Sequence, residues 1–251
     1  MAQNLKLSVV IPAYNEEKRI SATLVDVNSY LSKQNYPYEI IVVDNGSNDN
    51  TCDIVKGYQK QGFEHIVRLC LTKSVGAKGS AVKLGIEQAT GDYIVFMDAD
   101  NATPISEMAK FWPFLEGGKY QVVIGSRYVN ESNVTRKQPF YRVLLSRLSN
   151  LLIQAVAIPG IHDTQLGFKA FAGPAAKDIF SKVTIPGWGF DMEVLTIANL
   201  HGYKIKEVGV LWHERGGSHV PLKAYIQSLR DLFKIKLNSL LGRYHSETNN
   251  K

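Results

Sequence analysis

Short apolar runs alternate with amphipathic stretches along the first half of the chain. The amphipathic stretches have helical periodicity and cover residues 16–31, 51–61 and 80–88. The apolar runs, the best of them rich in valine and isoleucine, are typical of short strands and cover residues 7–11, 39–43, 65–69, 93–97 and 121–124. Alternation at this spacing predicts right-handed βαβ units, and therefore an α/β domain with a mainly parallel central sheet flanked by helices.

Polar and aromatic side chains follow several of these predicted strands. They are Pro12, Tyr14 and Glu16 after the first strand, Asp44 after the second, and Asp98, Ala99 and Asp100 after the strand 93–97. Parallel strands end at a common crevice, where α/β folds bind ligands. We therefore expect these residues to line one site, although a turn dense in Asn, Asp and Gly is usually only a turn.

Asp98 and Asp100 present two carboxylates one residue apart at a strand end. Hard oxygen ligands suit Mg²⁺ or Mn²⁺, so the pair is a candidate site for a metal ion that holds a diphosphate. A capping role is the alternative, because Thr103 and Pro104 have the residue types of a helix cap and a first helical position.

Lys78 precedes Gly79 and Ser80 at the start of a predicted helix. A lysine charge and free backbone N–H groups at such a position can bind phosphate. The glycine spacing of a P-loop is absent, so the segment contributes only if the sheet brings it to the same crevice.

The alternation is lost beyond Arg127. The sequence predicts a helix over 138–157 and a strand over 204–212, with an aromatic, glycine-rich turn before Asp191. Asp191 is a candidate site residue, and a helix cap is the alternative. We expect one domain over 1–220, in which the second half (about 128–220) closes over the crevice of the first half (about 1–127).

Composition narrows the choice of partners only slightly. The formal charge of +6 favours an anionic partner. We expect no nucleic acid, because the chain has no zinc-finger spacing, no RNA-binding aromatic signature and no dense basic block in its first 200 residues. Cys52 and Cys70 lack a pattern of metal ligands around them and no secretory signal precedes them, which favours reduced thiols in a cytoplasmic protein.

Membrane segments are not predicted. The first strand follows a short polar leader, so we expect neither a signal peptide nor an anchor helix. The segment 221–244 repeats apolar residues at helical spacing among lysines and arginines, and a polar tail, 245–251, follows it. Such a helix lies on an anionic membrane surface or packs on the domain with a wet basic face, and the pattern does not separate the two.

Together these motifs resemble those of family 2 glycosyltransferases of the GT-A fold. Residues 9–16, 42–47 and 98–100 are similar, in order, to the nucleotide and metal motifs of that family. Within the polyprenyl-phosphate sugar synthases, the segments 98–103, 160–169, 190–193 and 217–218, with Trp212, look more like dolichyl-phosphate glucosyltransferases than mannosyltransferases. The resemblance covers about residues 7–245 and implies a catalytic domain over 1–220, with a nucleotide-binding half (about 1–127) and an acceptor-binding half (about 128–220).

The resemblance implies a role for each matched position. Nucleoside or nucleotide-sugar contacts fall to Pro12, Tyr14, Glu16, Asp44, Asp98, Ala99 and Asp100, and metal binding to Asp98 and Asp100; Lys78, the candidate from the helix start, would join the nucleotide-sugar contacts. The implied catalytic residues are Asp191, Asp98 and Arg127. Candidates for acceptor-phosphate contact are Arg127, Arg142, Arg147, Arg215 and Ser218. Guanidinium groups hold phosphates through paired hydrogen bonds, although each arginine is alternatively a solvated surface charge.

Three features depart from the family pattern. A glutamine that joins the metal site in some mannosyltransferases is Ala102 here, which leaves a third protein ligand open. His213 is a candidate for that ligand, with a structural role as the alternative. The lysine that usually follows the glycine-serine motif is His219, which would weaken acceptor binding or make it pH-sensitive. Eukaryotic dolichyl-phosphate glucosyltransferases carry an N-terminal anchor that we expect this chain to lack.

The implied activity is inverting transfer of glucose from UDP-glucose to a polyprenyl phosphate, with Mg²⁺ or Mn²⁺, at the cytoplasmic face of a membrane. A phosphate monoester has a second pKa near ~6, so the acceptor is largely ionised and Asp191 need only position a substrate. The alternatives are a GDP-mannose-dependent transferase, a family 2 transferase that acts on a hydroxyl with Asp191 as base, and a non-catalytic nucleotide-sugar-binding subunit. A homo-oligomer or a membrane-protein partner stays open.

Overall fold

The elements of the fold follow the alternation that the sequence predicts. The structure, a computed structural model, describes residues 5–61, 63, 65–70, 77–130, 132–135, 150–213 and 222–245. The first half contains β1 (Leu7–Ala13), α1 (Ile20–Leu31), β2 (Tyr38–Asp44), α2 (Thr51–Lys60), β3 (Ile66–Cys70), α3 (Lys78–Gln88), β4 (Tyr93–Met97), a 3₁₀ turn (Ile105–Glu107), α4 (Met108–Glu116) and β5 (Val122–Ser126). The second half contains β6 (Asn133–Val134), α5 (150–156), β7 (Phe168–Ala172), α6 (Gly173–Lys182), α7 (Phe190–Leu200), β8 (Ile205–Gly209), β9 (Leu211–Trp212) and α8 (Leu222–Leu240).

The central sheet has seven strands in the order β3-β2-β1-β4-β7-β5-β8. Strand β7 runs antiparallel to β4 and β5, and the other neighbouring pairs of this sheet are parallel. The predicted α/β class with a mainly parallel sheet is therefore confirmed. Strands β7 and β8 come from the second half of the chain and complete the sheet begun by the first half.

Apolar side chains cover both faces of this sheet. Along β4, Ile94 and Phe96 belong to one core cluster, Val95 and Met97 belong to the other, and all four are fully buried. A strand that is buried on both faces appears in the sequence as an unbroken apolar run. The predicted ends of β1 to β5 agree with the structure to within two residues, and for β1, β2, β4 and β5 this burial on both faces is the reason.

Helix α1 begins later than the sequence predicts. It starts at Ile20 rather than at residue 16. The backbone N–H groups of Glu16 and Glu17 donate instead to the Thr51 hydroxyl (2.8 Å) and to Asp49 Oδ2 (3.1 Å). These bonds attach the segment after β1 to the loop after β2, which brings the two candidate nucleoside segments together.

The remaining differences concern strands β7 to β9, the segment before the 3₁₀ turn and the predicted helix 138–157. The predicted strand 204–212 divides into β8 and β9, because β9 leaves the central sheet to pair with β6. The predicted cap at Thr103 and Pro104 is wrong: Pro104 is extended (φ −65°, ψ 148°) and lies before the 3₁₀ turn. Strand β7 is not predicted, since Lys169 interrupts its apolar run. Within the predicted helix 138–157, residues 150–156 are helical and 138–149 lie outside the described residues.

Helix α8 packs on the domain through Leu232 and Ile235, which are 2% and 0% exposed. It ends before the predicted residue 244, because Gly242 adopts a positive φ of 68° that is common where helices end. The Tyr244 hydroxyl then donates to the buried Glu193 carboxylate (2.7 Å), which anchors the turn that follows the helix.

His201 joins this turn to helix α6. Its Nδ1 lies 2.6 Å from Asp178 Oδ2, and its Nε2 lies 2.7 Å from the carbonyl oxygen of Tyr244. Both partners only accept hydrogen bonds, so the imidazole donates to both only when it is doubly protonated. Burial opposes the charge, but Asp178 and Tyr244 outweigh it and raise the pKa of His201 above its ordinary value.

We expect the free energy of unfolding to fall as pH rises through this raised pKa. The folded state holds the proton more tightly than the unfolded chain, so the contribution is complete below pH 6.5 and is lost above the folded pKa. The His201→Gln variant should lack this part of the pH dependence. Urea unfolding of both proteins over a pH series checks it, and parallel profiles would contradict the assignment.

Candidate active site

The loops after β1 and β2 are bonded to each other at the carboxyl edge of the sheet. The Asn15 N–H donates to Ser47 Oγ (3.0 Å), and the Asn48 N–H donates back to Asn15 Oδ1 (2.9 Å). The Ser47 N–H in turn donates to Asp44 Oδ1 (3.1 Å), so the nearly buried Asp44 side chain has a fixed orientation. Tyr14 is 41% exposed beside this network, which leaves its ring available to a ligand.

Pro12 lies deeper than the sequence predicts, inside β1 rather than after it. It pairs in register with Val43 in the next strand. Proline is tolerated near the end of a strand, where the missing N–H removes little of the ladder. Its predicted contact with the nucleoside stays a prediction.

The loop after β4 is held from three sides. The Asp98 N–H donates to the Gly167 carbonyl (3.1 Å), the Thr23 hydroxyl donates to the Ala99 carbonyl (2.6 Å), and the His213 N–H donates to the Ala102 carbonyl (2.8 Å). A Cβ at position 167 would overlap with Asp98 Oδ2, so any side chain there would displace the Asp98 carboxylate. Gly167 therefore leaves room for Asp98 in its present orientation.

Asp98 and Asp100 form an electrostatically strained pair. Burial, and then the charge of Asp98, raise the pKa of Asp100 above its ordinary value. The Asp100 Oδ1 accepts the Ala102 N–H (3.0 Å) within the loop, before the 3₁₀ turn, so a helix-capping role is wrong for this residue. A buried carboxylate such as Asp100, whose charge is disfavoured by burial and by a neighbouring carboxylate, suits a site that takes up a cation.

Glu16 adds a third carboxylate near this pair. Burial raises the pKa of Glu16, and the charges of Asp100 and Asp98 add to that effect. Arg19 opposes it with two bonds to the Glu16 carboxylate, at 2.6 and 2.7 Å. The oxygen-rich cluster fits a hard divalent cation, with Asp98 and Asp100 as the candidate ligands.

Lys78 reaches the same place from the start of helix α3. Its Nζ lies 2.5 Å from Asp98 Oδ1, and it lies over the ring of Trp188 at 5.6 Å. Burial disfavours the charged lysine, but Asp98 and Asp191 outweigh burial and raise its pKa. The sheet therefore does bring this segment to the crevice, and Lys78 stays cationic beside the position predicted for a diphosphate.

Gly79 allows that approach. A Cβ at this position would lie 2.7 Å from the Ile185 carbonyl oxygen and 2.7 Å from the Cβ of Phe190. The Ser80 N–H donates to the Pro186 carbonyl (3.1 Å). The start of α3 thus packs directly on the loop before α7, which carries Asp191.

Asp191 is buried in the first turn of α7 and pairs with Lys169 of β7. Asp191 Oδ1 lies 2.5 Å from Lys169 Nζ, and Lys169 also donates to the Leu166 carbonyl (2.7 Å). Burial raises the pKa of Asp191 and lowers that of Lys169, each against the pull of its partner. The capping alternative is wrong for Asp191, because Gly189 occupies the N-cap position and Asp191 lies inside the first turn.

Arg127 is held by a carboxylate that the sequence did not pair with it. Its Nε and Nη2 donate to the two oxygens of Asp163 (2.8 and 2.9 Å), and its backbone N–H donates to the same side chain. Asp163 is fully buried; burial opposes its charge, but Arg127 outweighs this and lowers the pKa of Asp163. Arg127 is therefore a positioned, charge-balanced residue beside Trp212, whose ring lies 5.4 Å from the guanidinium carbon.

The remaining phosphate candidates lie outside the described residues: they are Arg142, Arg147, Arg215 and Ser218, with His219 beside them. His213, the candidate third metal ligand, lies at the end of β9. Its Nδ1 is 3.0 Å from the Thr135 hydroxyl. Its backbone bond to Ala102 brings it next to the loop of Asp98 and Asp100, so both a ligand role and a structural role stay open.

Sequence reasoning assigned no role to Asp163, Lys169 or Trp188. Asp163 and Lys169 are buried charged residues, and Trp188 is 53% exposed next to Lys78. The one signal in the sequence for Asp163 and Lys169 is their occurrence in the segment 160–169, which carries part of the family resemblance, and for Trp188 its place in the aromatic, glycine-rich turn before Asp191. Their partners come from other parts of the chain.

Residues 8–180 match the family model described as glycosyl transferase family 2. The chain belongs to glycosyl transferase family 2. The predicted membership is therefore confirmed, and the crevice described above is the candidate active site of this family 2 glycosyltransferase.

Curated relatives match along almost the whole chain. The dolichyl-phosphate beta-glucosyltransferase of Homo sapiens is 36% identical over 98% of this chain and 79% of its own length. That of Dictyostelium discoideum is 35% identical over 95% of this chain and 76% of its own length. The resemblance to dolichyl-phosphate glucosyltransferases is thus borne out as well.

A solved structure confirms the GT-A fold. Glucosyl-3-phosphoglycerate synthase from Mycobacterium tuberculosis, in complex with Mn²⁺, UDP and glucosyl-3-phosphoglycerate, superposes with a TM-score of 0.66. The alignment covers 95% of this chain and 80% of that chain at 22% identity. At this identity the likeness establishes the fold of this family 2 glycosyltransferase and not its substrates.

Proposed function

We propose that this family 2 glycosyltransferase moves glucose from UDP-glucose to a polyprenyl phosphate of the dolichyl type. The observation that carries the proposal is the likeness, over 98% of the chain, to a protein that bears this activity in its name. The crevice supports it, because Asp98, Asp100 and Asp191 are all retained and lie together with Lys78. A non-catalytic binding subunit would be expected to lose such carboxylates.

The nucleoside and the diphosphate of the donor would bind in two different parts of the crevice. Asp44 and Tyr14 belong to the nucleoside side, where the loops after β1 and β2 are bonded together. Lys78 and the pair of Asp98 and Asp100 belong to the diphosphate side. Asp98 and Asp100 would hold Mg²⁺ or Mn²⁺, which when bound supplies positive charge that stabilises the leaving diphosphate.

The reaction we propose is a single displacement. An oxygen of the acceptor phosphate forms a bond to the anomeric carbon, the bond from that carbon to the UDP oxygen breaks, and the configuration inverts. Lys78 provides a fixed cation beside the diphosphate, where charge grows as UDP leaves. The acceptor is already largely ionised at neutral pH, so no side chain has to remove a proton from it.

Asp191 positions a substrate in this scheme and is not an obligatory base. We expect Asp191→Asn to keep measurable turnover with a phosphate acceptor, since the acceptor needs no deprotonation, with its loss falling mainly on KM. Steady-state kinetics with a short polyprenyl phosphate over a pH series check this. A loss of about 10²–10⁴-fold in kcat, the usual size for removal of a general base, would favour a hydroxyl acceptor instead.

Donor choice tests the proposed function directly. Radiolabelled UDP-glucose and GDP-mannose are supplied in parallel with a short polyprenyl phosphate, with Mn²⁺ or Mg²⁺ and with EDTA. Metal-dependent labelled lipid from UDP-glucose is the expected result. Labelled lipid from GDP-mannose alone would replace the glucosyl proposal with the mannosyl one, and nucleotide binding without a lipid product from either would favour the binding subunit.

The C-terminal helix supports peripheral attachment to a membrane. No helix in the described ranges has the length and apolar content to cross a bilayer. Opposite its buried face, α8 carries a second apolar stripe, in which Leu229, Phe233, Leu237 and Leu240 are 43%, 58%, 54% and 73% exposed. Their spacing of three and four residues places them on one side of the helix.

Positively charged side chains flank this apolar stripe of α8. Arg230, Lys234 and Lys236 are exposed, and the acidic Asp231 of the same stretch is buried. Apolar side chains that enter the lipid interface between lysines and arginines match an anionic bilayer in shape and charge. We therefore infer that α8 uses one face for the domain and the other for a membrane surface; that this is a cytoplasmic face stays a prediction.

We expect the protein to float with vesicles that contain phosphatidylglycerol and far less with pure phosphatidylcholine. The double variant Phe233→Ser, Leu237→Ser should lower the partition coefficient by about tenfold or more, since full burial of each side chain is worth roughly 1.5–3 kcal/mol. Val25→Ser, at a residue of α1 that is 46% exposed, is the matched control. Equal flotation of the double variant and the wild type would contradict this use of α8.

A further inference from the structure

A second group of metal-binding side chains lies beside the nucleoside loops. Asp44 ends β2 and Cys70 ends β3, and the two residues are register partners across these parallel strands. Cys52 lies in the first turn of α2. One carboxylate oxygen and the two sulfur atoms all lie within 4.8 Å of one another, although the residues are separated along the chain.

Arg68 orients the two thiols. Its Nη1 lies 3.2 Å from Cys52 Sγ and also contacts Cys70 Sγ, so both sulfur atoms face one guanidinium N–H group. Both cysteines are free. The two thiols share the Arg68 donor, and the Asp44 carboxylate lies nearby. Small rotations of these three side chains would let them bind one ion.

We propose that Cys52, Cys70 and Asp44 bind a thiophilic divalent cation, represented by Zn²⁺, at a site separate from Asp98 and Asp100. Sulfur ligands select soft or borderline ions, whereas a purely carboxylate site favours Mg²⁺ or Mn²⁺. Zinc accepts a mixed set of sulfur and oxygen ligands at distances of roughly 2.0–2.3 Å. Cys70 is exposed, so solvent can supply the fourth ligand.

The charges of such a site balance. The metal takes both sulfur atoms as thiolates, and the two thiol protons pass to solvent. Two thiolates and one carboxylate offset the divalent ion and the Arg68 guanidinium.

Occupation of this site would oppose donor binding. Asp44 is the residue we assign to the nucleoside, and a metal ion that uses its carboxylate removes it from that role. This consequence rests on the proposed function, whereas metal binding itself does not. The chain would thus be inhibited by soft metals while it depends on a hard one.

Cobalt binding tests the site without reference to activity. The chain has two cysteines, so a sulfur-to-cobalt charge-transfer band in the near ultraviolet can arise only from Cys52 and Cys70. We expect the band in the wild type and its removal by excess Zn²⁺. Cys52→Ser and Cys70→Ser should each weaken cobalt binding by more than roughly 100-fold. Substitution of a residue that only supports a metal ligand usually weakens metal binding by roughly 10–100-fold. Asp100→Asn should leave the band unchanged.

Calorimetry of UDP-glucose binding in Mn²⁺ separates this inference from the proposed function. Saturating Zn²⁺ should weaken UDP-glucose binding to the wild type by at least about tenfold, which is within the usual range of coupling between two ligand sites. Zn²⁺ should have no such effect on UDP-glucose binding to Cys52→Ser. Absence of the cobalt band would overturn the site, and equal effects of Zn²⁺ on both proteins would overturn the antagonism. A band in a protein that never binds UDP-glucose would support the site and refute the proposed donor.

Discussion

Asp100→Asn is expected to lower kcat for glucose transfer by about 10²–10³-fold, the usual size when one preorganised electrostatic contact to the reacting groups is removed. Asparagine retains an oxygen that accepts the Ala102 N–H, so the loop after β4 should keep its shape. What is lost is the negative charge that a cation requires. Initial rates over a Mn²⁺ titration measure the effect, which should include a weaker dependence on the metal.

Asp53→Asn is the matched control for this substitution. Asp53 has a side chain that is 75% exposed and pairs with Lys56 on the surface of α2. The same chemical change there should leave both kcat and the metal titration as in the wild type. An Asp100→Asn enzyme with an unchanged metal titration would remove Asp100 from the metal site.

Lys169→Met is expected to lower the free energy of unfolding by about 3–5 kcal/mol, the cost of leaving one partner of a buried ion pair uncompensated. Lys169 is fully buried, and Asp191 is 2% exposed. Removal of the lysine leaves the Asp191 carboxylate buried away from water and without its nearest cation. Urea unfolding monitored by circular dichroism measures the change from the shift of the midpoint at constant slope.

The double variant Lys169→Met, Asp191→Leu separates the ion pair from simple packing. Replacement of both charges by apolar side chains of similar size is often neutral or stabilising, so the double variant should recover most of the lost stability. A double variant that is less stable than Lys169→Met would show that the pair is not the source of the effect. Activity is not expected to recover, because Asp191 lies at the crevice.

Strands β1, β2, β4 and β5 are predictable because they are buried on both faces. Their unbroken apolar runs are visible without knowledge of the neighbours, as β4 shows. Strand β7 is different, because Lys169 lies in its middle and the strand enters the sheet antiparallel between β4 and β5. A buried lysine is stable there only because Asp191 meets it, and that partner is 22 residues away.

The residues of the candidate site also differ in how far the sequence predicts their positions. Asp98, Asp100 and Asp44 are predictable, since the end of a parallel strand fixes its position at the crevice. The pairing of Arg127 with Asp163 is not, because it spans 36 residues whose path the sequence pattern does not give. Likewise, the proximity of Cys52 and Cys70 depends on the register between β2 and β3 and on where α2 begins.

The most direct test of the account is the identity of the product formed from UDP-glucose and a short polyprenyl phosphate. Mass spectrometry and NMR of the purified lipid give its composition and anomeric configuration. We predict a glucosyl polyprenyl phosphate in the β configuration, inverted from the α-linked donor, formed by the wild type and strongly reduced with Asp100→Asn. An α-linked product would contradict the single displacement, and free glucose without a glycolipid would contradict the proposed acceptor.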